Sequence, residues 1–289
     1  MKRLEVILLG LFLFLSPSLF AQVVDEPENN SDGFYTKEAE VIENNKKAFD
    51  FPYVREADVV WAHRVWRVID FREKINQVFY YPLGIVPENQ GRMNLYNVLN
   101  QAIMEGRIRV FDDDMFTKEI VDYKAYLESF ASKETIEKET GEYDLDGFPV
   151  MKDTTIVTGE VREDEVYSLR IKEDWFIDRA RSVEDVRIIG FTLVAETVKG
   201  ATPLGWVRYN DPEVRELLAN SEVYNMDNDR ARRSYDDIFR KRIFSSYIIR
   251  ESNDFNRSLE DYVSGIDAMM ESQRIEDYLF EMEEDMWEY

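Results

Sequence analysis

Two runs rich in β-branched and aromatic residues, 165–177 and 187–198, constrain this chain more than anything else in it. Branching at Cβ limits the rotamers that a helix allows, and such side chains fit the pleated surface of a sheet. The runs are separated by a short polar stretch and are placed to pair as a hairpin across Ser182-Val183-Glu184. An antiparallel sheet is therefore the expected centre of the fold, and other segments must supply its cover.

Further strands are expected where Ile108 and Val110 alternate with Arg107 and Arg109, at 154–158, at 206–209 after Pro203-Leu204-Gly205, and at 247–250. Helices are expected between them. Leu95, Val98, Leu99, Ala102 and Ile103 follow helical spacing, and Gly106 stands where a C′ glycine ends a helix. A polar helix is expected over 118–138. Asp211 reads as an N-cap with Pro212 in the first helical position, and Val214, Leu217 and Leu218 face the core. Tyr235, Ile238, Phe239 and Ile243 share another helical face. The units 94–111 and 234–250 are alike in pattern, without the residue identity that a repeat would require. The fold class is α+β, a mainly antiparallel sheet with packed helices.

At the C-terminus, Leu259, Tyr262, Val263, Ile266 and Met270 keep helical spacing, continued by Tyr278, Leu279, Met282 and Met286. From Glu271 onward eight acidic residues face a single basic one, Arg274. An acidic amphipathic helix with methionines on its apolar face suits docking, because methionine adapts to irregular grooves. It suits packing on its own domain equally well.

The other end of the chain sets the compartment. Lys2 and Arg3 precede an almost wholly apolar run over 4–15, and Ser16-Pro17-Ser18-Leu19-Phe20-Ala21 breaks it and ends in a small residue. This is the order of a cleavable secretory signal, and the run is too short for a membrane span. The chain has no cysteine, so it has no disulfides and no site for a lipoprotein's acyl chains. No direct membrane insertion is expected. Any membrane attachment must come through a partner.

An apolar fraction of 44% and an aromatic fraction of 13% argue for a packed core. The net charge is −23, and losing Lys2, Arg3 and Glu5 takes it to −24. So acidic a chain repels nucleic acid and anionic headgroups, and its partners are expected to be proteins with basic surfaces, or cations.

Catalytic chemistry has little to stand on. His63 is the only histidine, and no Gly-x-Ser-x-Gly elbow accompanies it, so a packed or surface role is expected. Glu142-x-Asp144-x-Asp146-Gly147 with Asp153 approaches a calcium loop. It departs in having Glu at the first position, Asp at the last, and Pro149 within it. Asp112-Asp113-Asp114 reads as a solvated turn rather than a magnesium site. Carboxylates are too abundant for any pair to signal glycoside hydrolysis, and no glycine-rich phosphate loop is present. No catalytic residue, cofactor or metal is assigned.

One segment is distinctive. It runs from Val59 through Trp61, His63, Trp66, Arg67, Asp70, Arg72, Glu73 and Lys74 to Asn76, then Tyr80-Tyr81-Pro82. Its spacing places Trp61, Val65, Val68 and Ile75 on one face of a helix, with Asp70 four residues before Lys74 as an ion pair. Such a helix is either structural or an interface, and Trp61, Trp66, Arg67, Asp70, Arg72 and Lys74 are the candidate protein interface. The Trp-Arg-x-Ile-Asp-x-Arg-Glu-Lys-x-Asn core and the Tyr-Tyr-Pro resemble the gliding-motility N family (GldN, also called PorN) of the type IX secretion system, over about 53–250.

The resemblance implies a non-enzymatic periplasmic component, held at the inner face of the outer membrane. Its partners would be an outer-membrane lipoprotein of the same system, the periplasmic domain of an inner-membrane motor protein, and neighbouring copies in a ring. The role would be support of protein export and gliding. Two other classes remain open from the residues alone: a periplasmic ligand-binding or chaperone-like module, and a metal-dependent hydrolase using the acidic loops. The expected organisation is a signal peptide at 1–21, a flexible acidic leader at 22–52, a core at 53–264, and an acidic helix or tail at 265–289. The mature chain isolated from envelopes should begin at Gln22, which N-terminal sequencing checks; an intact Met1 start would refute cleavage.

Overall fold

The computed structural model describes residues 47–84, 92–130, 132–143, 149–158, 161–197, 199–224, 233–255 and 257–285. The proposed signal peptide and most of the leader lie outside them. Six strands form one antiparallel sheet in the order β2 (Val110–Phe111), β7 (Gly200–Arg208), β6 (Val183–Thr197), β5 (Val166–Asp178), β1 (Val59–Asp70), β8 (Tyr247–Glu251), and β3 (Ser132–Tyr143) and β4 (Pro149–Thr158) pair separately. The two defining runs are β5 (Val166–Asp178) and β6 (Val183–Thr197). They pair from Asp178 opposite Val183 outward. The turn thus occupies 179–182, slightly ahead of the expected one, and the Asp178 carboxylate accepts from the Ala180 N–H and the Arg181 side chain.

Most of the distinctive segment is not a helix. Its residues 59–70 are β1 (Val59–Asp70), inserted between β5 and the short strand β8 (Tyr247–Glu251), and only Lys74–Asn76 make a single 3-10 turn. Every residue from Val65 to Ile69 is buried. A strand covered on both faces loses the apolar–polar alternation that marks a half-exposed one. Its β-branched and aromatic residues then imitate helical spacing by coincidence.

The expected polar helix over 118–138 also fails. A short helix, Tyr123–Glu128, is capped by Asp122, and the chain then turns into β3 (Ser132–Tyr143) opposite β4 (Pro149–Thr158). Thr135, Ile136 and Thr140 suit a strand, and the expected strand at 154–158 supplies the ladder. Glu142 and Asp153 stand in these strands, while Asp144, Asp146 and Gly147 of the calcium-like pattern lie outside the described residues.

The α-helices among the described residues are α1 (Gln77–Tyr80), α2 (Leu95–Met104), α3 (Tyr123–Glu128), α4 (Pro212–Asn220), α5 (Tyr235–Arg240) and α6 (Ile266–Asp285). α2 ends in a Schellman motif. The Arg107 N–H reaches the Ala102 carbonyl at 2.9 Å and the Gly106 N–H the Ile103 carbonyl at 2.9 Å, with Gly106 at φ 70°. Asp211 occupies the N-cap position of α4 but makes no side-chain cap; its carboxylate accepts from Arg109 at 3.0 Å instead. The similar units 94–111 and 234–250 end in β2 (Val110–Phe111) and β8, on opposite edges of the sheet.

One sheet face, with Ile69, Leu169, Ile171, Phe191, Leu193 and Val207, packs in a single cluster with Leu95, Val98 and Leu99 of α2, Val214 and Leu218 of α4, and Ile238 and Phe239 of α5. The other face carries a smaller cluster of Trp66, Phe111 and Trp206, with Phe116 packed on it. Phe116 lies over Gly190, the one β6 position where its ring can approach the sheet backbone. A Cβ there would collide with the ring and stand 2.7 Å from the Val207 carbonyl oxygen. Gly190→Ala should therefore destabilise the fold by about 1–3 kcal/mol through overpacking, read from the urea midpoint. An unchanged midpoint would show that the Phe116 loop is not packed on the sheet.

Candidate interaction surface

β1 sends alternate side chains to opposite faces of the sheet, and this decides what Trp66 and Arg67 can do. On the helical face, Arg67 is almost wholly buried. Its Nε donates to Glu173 at 2.6 Å, and its Nη1 to Glu276 of α6 at 2.8 Å. Glu173 is fully buried and also accepts from Arg242 at 2.8 and 3.2 Å and from the Trp175 indole at 2.8 Å. Burial alone would push the Glu173 carboxyl up, but Arg242 and Arg67 with these hydrogen bonds hold it below its ordinary value.

Arg242 has an unusual backbone. It stands at C′ of a second Schellman motif, closed by Ile243 N–H to the Ile238 carbonyl at 3.0 Å, and has φ 52° where glycine is customary. A left-handed non-glycine residue costs about 1–2 kcal/mol. The arginine here places its guanidinium on the buried Glu173, a contact that opposes this cost.

On the opposite face Trp66 is buried beneath a stack of cations. The Arg250 guanidinium lies 3.5 Å from the ring centroid, and Lys172 is 5.5 Å from it. Asp114 binds this group together. Its carboxylate accepts from the Trp66 indole at 3.0 Å and Arg250 at 2.6 Å, and its carbonyl from Lys172 at 2.6 Å. Burial pushes the Lys172 ammonium down, with Asp114 opposing the shift. The run expected as a solvated turn therefore has three structural tasks. Asp112 pairs with Lys118 at 2.7 Å, Asp113 accepts from Thr117 and Lys118, and Asp114 closes the Trp66 site.

Asp70 does not pair with Lys74. It accepts from the Arg72 N–H at 2.9 Å and from the Arg72 guanidinium, bracing the turn after β1. Asn76, the last residue of the motif, is fully buried and bonds the Asp70 and Ser245 carbonyls at 2.8 and 2.9 Å. Of the six nominated residues, Trp66 and Arg67 are enclosed within the chain and Trp61 is half-buried. Arg72 and Lys74 are exposed. His63 is a packed side chain, 3.1 Å from Glu251 and in ring contact with Trp61 and with Tyr278 of α6. Among the described residues, no group of three His, Asp or Glu side chains could hold a metal ion, and no helix is long and apolar enough to cross a membrane.

α6 answers the question left open by its sequence: it packs on its own domain and also presents a second apolar face. Ile275 and Leu279 join Val65, Ile248 and Leu259 in a separate cluster, and the Ile248 N–H donates to the Ser272 hydroxyl at 3.0 Å. Facing away, Ile266, Met269, Met270 and Phe280 are 75%, 73%, 66% and 58% exposed. A cleft of about 500 Å³ along the same helix is lined by Glu251, Arg274, Ile275, Asp277, Tyr278 and Glu281. Periodicity could have found two stripes in this helix, but not which of them the sheet covers.

The model of the family described as gliding motility associated protein GldN matches residues 54–288. The match runs through α6, beyond the limit of about 250 that the motifs alone suggested. No curated protein matches the chain.

Arg67→Ala would deprive the buried Glu173 of one cation and remove the ion pair that joins β1 to Glu276 of α6. Removing one partner of a buried pair should cost about 3 kcal/mol in urea unfolding. The Glu173 pKa is lower in the folded chain, so its contribution is complete above the unfolded value of about 4.3 and is lost as pH falls through the depressed one. The stability gap between the native chain and Glu173→Gln should accordingly narrow with acidification; a gap independent of pH would contradict this.

Proposed function

The chain belongs to the gliding motility associated protein GldN family, a component of the type IX secretion and gliding machinery, and from this membership we propose that it is a non-enzymatic structural subunit of that machinery. It acts in the periplasm, at the inner face of the outer membrane, and is held there by protein contacts. Its neighbours are an outer-membrane lipoprotein of the same system, the periplasmic domain of an inner-membrane motor protein, and further copies of itself in a ring. The assembly supports protein export and gliding.

The observation that carries this reading is the extent of the family match, which takes in the six-stranded sheet, its covering helices and α6. Chemistry within the fold is consistent with it. The distinctive charges of the motif, Arg67 and Asp70, serve to hold elements together, with Glu173 and Arg72 as their partners. Arg72 and Lys74 are the part of the nominated interface that a neighbour can reach.

A tagged mature chain purified from gently solubilised native envelopes should bring a stoichiometric outer-membrane lipoprotein with it, at megadalton size. A lone monomer, or a changing set of client proteins, would overturn the proposal.

A further inference from the structure

A surface helix ordinarily buries one apolar stripe and turns a polar face to water. α6 departs from that rule. With Ile275 and Leu279 committed to the domain, Ile266, Met269 and Met270 still group on the outward side, and Phe280 is exposed further along it. At 1.5 Å of rise per residue Phe280 lies about 15 Å along the axis from Met270, with the polar Gln273 and Asp277 exposed between them. Exposed apolar side chains grouped in this way mark an interaction site, and two adjacent methionines give it a surface that can adapt to its partner.

The charges around it select the partner. Asp267, Asp277, Glu281 and Glu284 are exposed on the same helix. The one basic residue in that stretch, Arg274, is engaged by Glu271. Glu251, Asp277 and Glu281 also line the cleft along that helix. A second copy of α6 laid on this ridge would bring acid against acid, and like charges set face to face cost several kcal/mol. With a net charge of −23, the chain repels an anionic lipid surface for the same reason. The remaining complement is a partner with apolar residues at helical spacing and lysines or arginines beside them.

We infer that the outward face of α6 is a docking surface for a basic amphipathic helix of another protein. Its apolar side chains pack between Ile266, Met269, Met270 and Phe280, and its cationic side chains enter the acidic cleft beside Tyr278. This deepens the proposed scaffold role by giving the chemistry of one partner surface, and it rests on that role only for the existence of a partner.

The probe is a short helical peptide with leucines on one face and lysines on the other, titrated into the mature chain by calorimetry. The same peptide with glutamates for lysines is the control. The lysine peptide should bind and the glutamate peptide should not. The double variant Met269→Gln, Met270→Gln should weaken binding at least tenfold, and Asp277→Lys with Glu281→Lys should do the same. All four side chains are exposed, and circular dichroism checks that the fold is kept. Equal binding of both peptides, or lysine-peptide affinity indifferent to the methionine pair, would overturn the inference. So would a dimer of the native chain that dissociates in the methionine variant, since a second copy would then be the occupant. If the peptide test fails while the lipoprotein still co-purifies with the native chain, the docking surface is wrong and the scaffold role stands. If co-purification fails while the peptide binds as expected, the scaffold role falls and the surface stands.

Discussion

Four charged side chains, Arg67, Glu173, Arg242 and Glu276, hold together elements that are far apart in the chain. Arg67 comes from β1, Glu173 from β5, Arg242 from the turn after α5, and Glu276 from α6. Bringing ions out of water costs several kcal/mol each, so such a cluster is tolerated only when every charge is matched and hydrogen-bonded. Here two cations meet two anions, and the Trp175 indole fills a further site on Glu173. The same demand for matching fixes geometry. A one-residue slip of β1 against β5 would send the guanidinium to the opposite face and leave Glu173 buried with a single cation. The cluster also opposes the cost of the left-handed backbone at Arg242, where the turn alone would favour glycine.

The opposite face of β1 uses the same device in a different chemistry. Trp66 cannot leave its indole N–H unpaired in the interior, and Asp114 accepts from it while neutralising Arg250 and approaching Lys172. The loop carrying Asp112, Asp113 and Asp114 thereby becomes the cover of that sheet face, with Phe116 laid over Gly190. A strand that places arginine into one layer and tryptophan into the other, each enclosed, is a structural centre. The motif that ties this chain to its family is therefore mostly a record of how the fold is held.

The surface proposed for a partner lies elsewhere. α6 is fixed to the domain by Ile275, Leu279, Ser272 and the Arg67–Glu276 contact, all on one side, so its other side is held in a defined position. An acidic helix face with exposed methionines suits the docking proposed for it. Binding through a preordered helix avoids the entropy of ordering a disordered segment at the moment of contact. The interior network and the outward apolar residues are two sides of one helix.

The sequence by itself determined the elements whose signals are local. The β5–β6 hairpin is written in β-branched runs, α2 in its spacing and Gly106, α5 in its apolar face, and the antiparallel α+β class follows from their order. The family was legible in the same way, because the Trp66 to Asn76 motif is a matter of residue identity. Only the tertiary structure decided what depends on neighbours distant in the chain. β1 reads as helix until β5 and β8 flank it and both its faces are buried. Arg67 and Asp70 look like surface charges until Glu173 and the turn at Arg72 claim them. Arg242 looks unremarkable until its φ and its partner are seen together. The acidic helix carried both of its fates in its periodicity. The choice of face was made by Val65 and Ile248, whose contact with it no local pattern encodes.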